Sequence, residues 1–441
     1  MAEVKTTCPY CGVGCGVLAA TDGERITAVR GDPDHPANRG RLCTKGSTLH
    51  LTTTPYGRAL HPELRDGRDR SVPRQRSSWD EALDSLVDRF ATTIATHGPD
   101  SVGFYLSGQL LTEDYYVFNK LAKGLIGTNN VDTNSRLCMS SAVAGYKATL
   151  GADAPPACYD DLDHAELVVI AGSNMAWAHP VLYRRLEDAK ARQPALKVVC
   201  IDPRRTETAR AADLHLPILP GTDVALFNAV LHWLLWEDAV DVAYIDVHTE
   251  NFGALKSMLR ECTPAWAARI CGISEAQIVA FAQLWRDSAA TLSLYCQGLN
   301  QSSSGTDKNA ALINLHLATG QIGKAGAGPF SLTGQPNAMG GREVGGLANL
   351  LPGHRDVTNA EHRSEIEALW GVPADRIPAT PGKTAVEMFD AVKRGEIKLL
   401  WIVCTNPAQS LPDLTGVAEA FANAECVIVQ EASRTTETAR L

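Results

Sequence analysis

Four cysteines crowd the amino end of the chain: Cys8, Cys11 and Cys15 in a C-x2-C-x3-C run, and Cys43 after a gap of 27 residues. Four thiolates from one tight loop and one returning segment can hold a tetrahedral zinc ion or an iron–sulfur cubane. Zinc ribbons usually pair two C-x2-C knuckles, and no second knuckle is present here. Three cysteines in one loop with a remote fourth therefore favour the cubane, with zinc as the alternative. The other eight cysteines are scattered singly from Cys138 to Cys426. An isolated cysteine is ordinarily inert core, and Cys158, Cys200, Cys262, Cys271, Cys296, Cys404 and Cys426 are read that way. The twelve histidines form no HExxH pair, and there is no Gly-x-Ser-x-Gly elbow and no Walker loop, so the common hydrolase and nucleotidase signatures are missing.

The elements that must position these residues follow from periodicity. Between the third and fourth cysteines, two short apolar-alternating runs flank Thr21-Asp22-Gly23-Glu24, the turn chemistry of a hairpin that would fold Cys43 back toward the first three. Residues 79–97 carry Ala82, Leu83, Leu86, Val87 and Phe90 at helical spacing, and 101–106 reads as a buried strand. Apolar runs at 167–171, 196–201, 399–404 and 426–430 end at Gly172-Ser173-Asn174, Asp202-Pro203-Arg204-Arg205, Thr405-Asn406-Pro407 and Glu431 respectively. Helical patterns such as 180–190 and 223–236 separate them. Such alternation implies parallel sheets covered by helices on both faces, with ligands at the carboxyl ends of the strands. The stretch 297–346, rich in Gly, Ser, Asn and Gln, reads as an ordered ligand-binding loop around an apolar-periodic segment at 311–317. No tandem repeat of fixed period is evident.

Composition bounds the function. The chain has 441 residues, 45% apolar and 21% charged, which suggests two to four domains. The longest apolar stretch, residues 224–236, carries Asn228 and His232 and falls short of the ~20 residues that cross a bilayer. The opening MAEVKTTCPYCG has neither an apolar core nor twin arginines, so a cytoplasmic address is expected. A net charge of −9 and a pI near 5.8 argue against a nucleic-acid partner. An anionic small substrate would need a local cationic pocket.

Cys8-Pro-Tyr-Cys11-Gly-Val-Gly-Cys15-Gly, with Arg41-Leu-Cys43-Thr-Lys45-Gly, resembles the [4Fe-4S] module that opens the molybdopterin-dependent oxidoreductases binding two guanine-dinucleotide pterins. The resemblance continues through Asn134-Ser-Arg-Leu-Cys138-Met139-Ser-Ser, Gly172-Ser-Asn, Asp202-Pro-Arg, Leu219-Pro-Gly221-Thr-Asp223 and Gly334-Gln-Pro-Asn-Ala-Met-Gly-Gly-Arg342-Glu-Val-Gly-Gly. It spans essentially the whole chain, and within the family it looks like the cytoplasmic assimilatory nitrate reductases and their periplasmic cousins. The implied fold is α/β: a small N-terminal 4Fe-4S module over residues 1–57, then two Rossmann-like α/β domains of the molybdopterin oxidoreductase type. One of these, a discontinuous pterin- and molybdenum-contacting domain, would take 58–150 and 336–441. The other, the guanine-dinucleotide-pterin domain, would take 151–335.

The resemblance also implies roles. Cys8, Cys11, Cys15 and Cys43 would hold the cluster, and Cys138 would bind molybdenum through its thiolate beside the dithiolene sulfurs of a molybdenum bis(molybdopterin guanine dinucleotide). Met139 cannot titrate where formate dehydrogenases of the group place His, which favours oxygen-atom transfer over C–H oxidation. Lys45 would lie between cluster and proximal pterin and tune the electron relay. Arg342 would capture nitrate through paired guanidinium donors, with Gln335 and Met339 lining the pocket. Gly172, Ser173, Asn174, Asp202, Arg204, Gly221 and Asp223 would face one pterin at strand ends, and Asn406 with the segment from Thr436 would touch the second. His179 reads as a packed structural residue.

The expected activity is reduction of nitrate to nitrite, with electrons arriving singly through the cluster from ferredoxin, flavodoxin or an NADH-dependent flavoprotein. Two alternatives stand beside it. One is a formate dehydrogenase of the same family; the other is a molybdenum-free iron–sulfur electron-transfer subunit. Members of the family continue past the position of Arg440-Leu441, so the chain is expected to lack the rest of the second pterin-contacting region and a C-terminal barrel-like domain.

Overall fold

The computed structural model describes residues 2–23, 25–67 and 69–441. It divides into two compact units, one of Met1–His50 with Cys138–Gly334 and one of Leu51–Leu137 with Gln335–Leu441.

The first unit is built on a five-stranded parallel sheet in the order Leu214–Leu216, Lys197–Ile201, Leu167–Ala171, Thr291–Tyr295, Gly328–Ser331. Its central strands are buried on both faces, which is why they read as continuous apolar runs. Leu167, Val169 and Ala171 face a core completed by the helices Asp223–Trp236, Glu275–Arg286 and Gly305–Ala318. Val168 and Ile170 face the opposite core, shared with the helix Pro180–Arg192 and with Cys8, Val13 and Cys15. Each fully buried Leu, Ile or Phe contributes roughly 1.5–3 kcal/mol.

Three strands of this sheet, Leu214–Leu216, Thr291–Tyr295 and Gly328–Ser331, were not read from the sequence. Thr291–Tyr295 (TLSLY) alternates polar and apolar residues, the pattern of a half-exposed strand, yet all five are buried. Its Ser293 Oγ pairs with His316 Nε2 at 2.8 Å, which satisfies a polar group in the core. Gly328–Ser331 lies within the stretch read as loop; it carries Pro329 and is an edge strand, the place where proline's missing N–H is tolerated. The rest of 297–346 is largely helical, through Gln297–Asn300, Gly305–Ala318 and Ala338–Glu343.

The amino end forms a three-stranded antiparallel sheet, Ala2–Thr7, Gly16–Thr21 and Ile26–Gly31. The predicted hairpin is its second and third strands, and Glu24 of the predicted turn lies outside the described residues.

The second unit holds a four-stranded parallel sheet in the order Cys426–Gln430, Leu399–Val403, Val102–Leu106, Val131–Thr133. The helices Ala385–Lys393 and Leu414–Asn423 cover one face. Phe90, from the helix Trp79–His97, joins Phe104 and Leu399 on the other. That helix begins at a capping box in which Ser78 and Glu81 satisfy each other's backbone N–H. A π-helical segment, Lys120–Ile126, continues the helix Thr112–Asn119.

Among the described residues, no helix is long and apolar enough to cross a membrane.

Candidate active site

The cysteine loop is closed by Cys8 N–H donating to Cys15 O at 2.9 Å and by Gly14, at φ 64°, donating to Cys11 O at 3.1 Å. Asn38, which the sequence reading passed over, brings the fourth cysteine back. It is 1% exposed; its Oδ1 accepts from Gly16 N at 2.8 Å and its Nδ2 donates to Gly16 O and Arg41 O at 3.0 and 2.7 Å. The returning segment is thereby stapled to the residue after Cys15, two positions before Cys43. Burial holds the Cys8 and Cys11 thiols above their ordinary range, and the Lys45 ammonium acts in the opposite sense on both. Cys15 is pushed up to about 12 by burial and then by the neighbouring Cys11, Cys8 and Cys43. Cys8, Cys11 and Cys15 are thus each disfavoured as isolated thiolates, and ionising them together calls for a compensating cation, the donor chemistry of a soft metal centre. Among the described residues no three His, Cys, Asp or Glu side chains converge on a single metal-ion point. A polynuclear cluster, ligated at its several irons, does not require them to. Lys45 lies on the short helix Thr44–Ser47 with an exposed side chain.

The loop also packs onto the sheet of its own unit. Tyr159 Oη donates to Gly12 O at 2.8 Å, and a Cβ on Gly12 would fall 1.9 Å from Thr333 O, so no other residue fits there. That same Thr333 carbonyl lies 2.7 Å from His179 Nε2, and His179 is 1% exposed, a packed residue as expected. One position on, Gly334 borders Cys138, where an added Cβ would stand 3.4 Å from Sγ.

Cys138 lies in the first turn of the helix Ser135–Leu150, 3% exposed, and its Sγ accepts from Gln297 Nε2 at 3.5 Å. The helix N-terminus presents partial positive charge to that sulfur. Met139 turns elsewhere: it is 4% exposed, and its Sδ accepts from Asn300 Nδ2 at 3.9 Å and Ser331 Oγ at 3.8 Å. Its thioether is thus packed into the polar seam of the core.

Gly172, Ser173 and Asn174 sit at the carboxyl end of Leu167–Ala171, with Gly172 at φ 56°. Ser173 Oγ and Thr333 Oγ1 are buried with no protein partner, at the ends of two parallel strands. Polar atoms left unpaired at that edge fit a polar ligand. Asp202 is buried, accepts from Arg204 N at 2.8 Å, and leaves the Arg204 side chain exposed. Gly221 is exposed at φ 90°. Asp223 is committed to a buried ion pair with Lys308 at 2.8 Å, and Lys308 also donates to Gly298 O at 3.3 Å. Its carboxylate therefore holds a neighbouring loop.

In the second unit, Arg342 lies on the helix Ala338–Glu343 and is 4% exposed, with Nη1 donating to Ala338 O at 3.4 Å. Met339 of that helix is 37% exposed. Gln335 Oε1 is buried without a protein partner, and the Gln335 side chain lies against Gly108. The segment after Arg342 is anchored by a residue that sequence reasoning missed. Lys123, on the π-helical segment and fully buried, donates to the carbonyls of Gly345 at 2.9 Å, Leu347 at 2.8 Å and Leu350. Three acceptors match the three N–H bonds of an ammonium.

The two units share a device that was also missed. Asn174 Oδ1 accepts from Thr208 Oγ1 at 3.0 Å, and Thr208 Oγ1 in turn accepts from Ala176 N at 3.0 Å. In the second unit, Asn406 Oδ1 accepts from Thr438 Oγ1 at 2.8 Å, and Thr438 Oγ1 accepts from Ala408 N at 3.1 Å. Both threonines belong to the same pentapeptide, Thr-Glu-Thr-Ala-Arg, at 206–210 and 436–440. Each asparagine stands two residues past a left-handed residue, Gly172 at φ 56° and Cys404 at φ 51°. The backbone N–H of each left-handed residue donates to the last residue of the neighbouring strand, Ile201 or Gln430, at 2.9 and 2.8 Å. The identical pentapeptide was the available signal. Asn406 also donates to Glu437 Oε2 at 2.6 Å.

Known proteins bear on this arrangement. The family model described as molybdopterin oxidoreductase matches residues 58–441, and that of the molybdopterin oxidoreductase Fe4S4 domain matches residues 1–54. A nitrate reductase of Klebsiella oxytoca is 49% identical over 440 residues, covering 100% of this chain and 49% of that protein. A nitrate reductase of Synechocystis is 45% identical, covering 100% of this chain and 62% of that protein. A periplasmic nitrate reductase of Desulfovibrio desulfuricans is 44% identical, covering 97% and 57%. The chain thus spans about half to three fifths of the length of these relatives. Among solved structures, acetylene hydratase from Pelobacter acetylenicus superposes with a TM-score of 0.79 at 20% identity, over 98% of this chain and 61% of that one, a likeness of fold. Fold, thiol loop and family models agree: the chain belongs to the molybdopterin oxidoreductases, whose cofactors are a molybdopterin and a 4Fe-4S cluster.

Proposed function

We propose that this chain is the catalytic portion of a nitrate reductase, reducing nitrate to nitrite at a molybdenum centre held by two guanine-dinucleotide pterins. The observation that carries the reading is Cys138: a buried thiol in the first turn of a helix, accepting a hydrogen bond, in a chain 49% and 45% identical to two nitrate reductases. When bound, the metal would supply the two electrons that reduce the oxyanion and would take up the oxygen atom removed from it.

The chain's own residues supply the rest. Cys8, Cys11, Cys15 and Cys43 hold the electron-entry cluster, with Lys45 beside Cys8 and Cys11 to stabilise its more negative states. Arg342 offers a guanidinium to a planar anion, and the Lys123 anchor fixes the backbone that follows it. Gln335 presents its unpaired Oε1 at the same segment. Ser173, Asn174, Asp202, Arg204 and Gly221 meet one pterin at strand ends, and Asn406 meets the other. Asp223 acts from behind, through Lys308. The thioether of Met139, fixed by Asn300 and Ser331, cannot carry a proton. That favours oxygen-atom transfer over formate oxidation, which needs a proton acceptor.

The reading extends to the cytoplasmic, assimilatory type, with a ferredoxin, a flavodoxin or an NADH-dependent flavoprotein as electron donor. The deciding experiment supplies nitrate, selenate or formate to the intact molybdenum-loaded protein with a reduced or oxidised dye. Nitrite formation is expected. Formate oxidation without nitrite would overturn the assignment, and fractionation of the native host cell checks the compartment.

A further inference from the structure

The sulfur of Cys138 does not stand alone. Gln297 Nε2 donates to it at 3.5 Å, and the other end of that amide, Oε1, accepts from the thiol of Cys296, whose Sγ also lies 2.9 Å from Leu332 O. The two sulfurs fix which way round the amide stands. Reversed, it would aim its oxygen at Cys138 Sγ and its N–H groups at the Cys296 thiol, which would be left with Leu332 O alone as acceptor.

The tip carrying Gln297 is held in three ways. Gly298 N donates to Gly172 O at 2.9 Å. The two glycines approach so closely that a Cβ on Gly298 would meet Gly172 Cα at 2.4 Å. Lys308, itself paired with Asp223, donates to Gly298 O. On the open side, a Cβ on Gly334 would come within 3.1 Å of Gln297 Nε2 and 3.4 Å of Cys138 Sγ, so glycine there leaves room beside the pair.

We infer that Gln297 is a positioning residue that acts on the reaction through the Cys138 sulfur, donating one N–H to it, with Cys296 orienting the amide. The inference rests on the reading of Cys138 as the molybdenum ligand. A hydrogen bond to a ligating thiolate is charge-assisted and draws electron density from the sulfur. The sulfur then donates less to the metal, whose reduced state becomes easier to reach. The amide thus sets the potential of the centre, while Cys138 sets its identity.

The test is potentiometric electron paramagnetic resonance of the Mo(V) state in the intact cofactor-loaded protein. It compares wild type, Gln297→Met, Cys296→Ala and Cys138→Ala, each in H2O and D2O. Gln297→Met keeps the length of the side chain and removes the N–H; it is expected to retain molybdenum, shift the midpoint to lower potential and lose an exchangeable-proton coupling. Cys296→Ala is expected to shift the midpoint the same way by less. Unchanged midpoint and coupling in Gln297→Met would overturn the inference, and so would loss of molybdenum from that variant, which would make the residue merely structural. Cys138→Ala separates the two claims: a wild-type signal there sinks the ligand reading itself, whereas an altered or absent signal with a silent Gln297→Met sinks only the tuning role.

Discussion

Gly172 and Cys404 occupy equivalent places in the two units, and replacing each by alanine isolates what a close backbone approach costs. Both have left-handed φ, 56° and 51°, a conformation that costs an L-residue roughly 1–2 kcal/mol. Cys404 already bears that cost and is exposed, so Cys404→Ala should change stability by less than about 1 kcal/mol. Gly172→Ala incurs it anew and adds an overlap. Its Cβ would lie 2.7 Å from Gly298 Cα, 2.8 Å from Gly298 C and 2.9 Å from Leu299 N, all backbone atoms that no rotamer change can move. Overpacking of that kind costs about 1–3 kcal/mol, for a total of roughly 2–5 kcal/mol. At roughly 2–4 °C per kcal/mol for a domain of this size, the thermal midpoint of the first unit should fall by on the order of 10 °C. The assay is a thermal melt of the two alanine variants and wild type, with hydrogen exchange localising the change to peptides around 172 and 298. A Gly172→Ala melt within 2 °C of wild type, or equal losses in the two variants, would refute the reasoning.

Four further outcomes are expected. Thr208→Val and Thr438→Val each remove the hydroxyl that links an asparagine to a helix start; each should cost about 1–3 kcal/mol, and similar losses by denaturant titration would show that the two latches are equivalent. Burial depresses His316 to about 3, so the unfolded chain takes up a proton between pH 6.5 and 3 that the folded chain refuses, and stability falls as pH drops through that window. His316→Asn should flatten this part of an acid-unfolding curve. Arg342→Lys keeps the charge but loses the planar pair of donors, so KM for nitrate should rise at least ~10-fold with a smaller change in kcat. Cys43→Ser should bring bound iron in the purified protein to background, whereas Cys158→Ser, at an exposed thiol, should leave it unchanged.

Long apolar runs made the sheets legible: the strands Leu167–Ala171, Lys197–Ile201, Leu399–Val403 and Cys426–Gln430 fall where hydrophobicity placed them, with polar residues at their carboxyl ends. Thr291–Tyr295 and Gly328–Ser331 were not legible. The first hides its burial behind a Ser293–His316 pair that no local pattern reveals, and the second is a Gly-Pro edge strand that looks like a turn. Motif cysteines announce themselves by spacing. Asn38, Gln297, Lys123 and Lys308 do not, since each acts on backbone or sulfur atoms remote in sequence. Nor does spacing reveal that Asp223, expected to face a pterin, is paired with the buried Lys308.

The π-helical segment that carries Lys123 has an evolutionary corollary. A wide i→i+5 turn is a local irregularity in helical winding, and here the irregularity aims one ammonium at three carbonyls. A deletion that restored regular winding would swing that ammonium out of its nest and free the chain after Arg342. Once such a turn was in place, reversal would become a two-step path through a crippled ancestor, so the irregularity should be inherited together with Arg342. Lineages that have abandoned one would be expected to have lost the other.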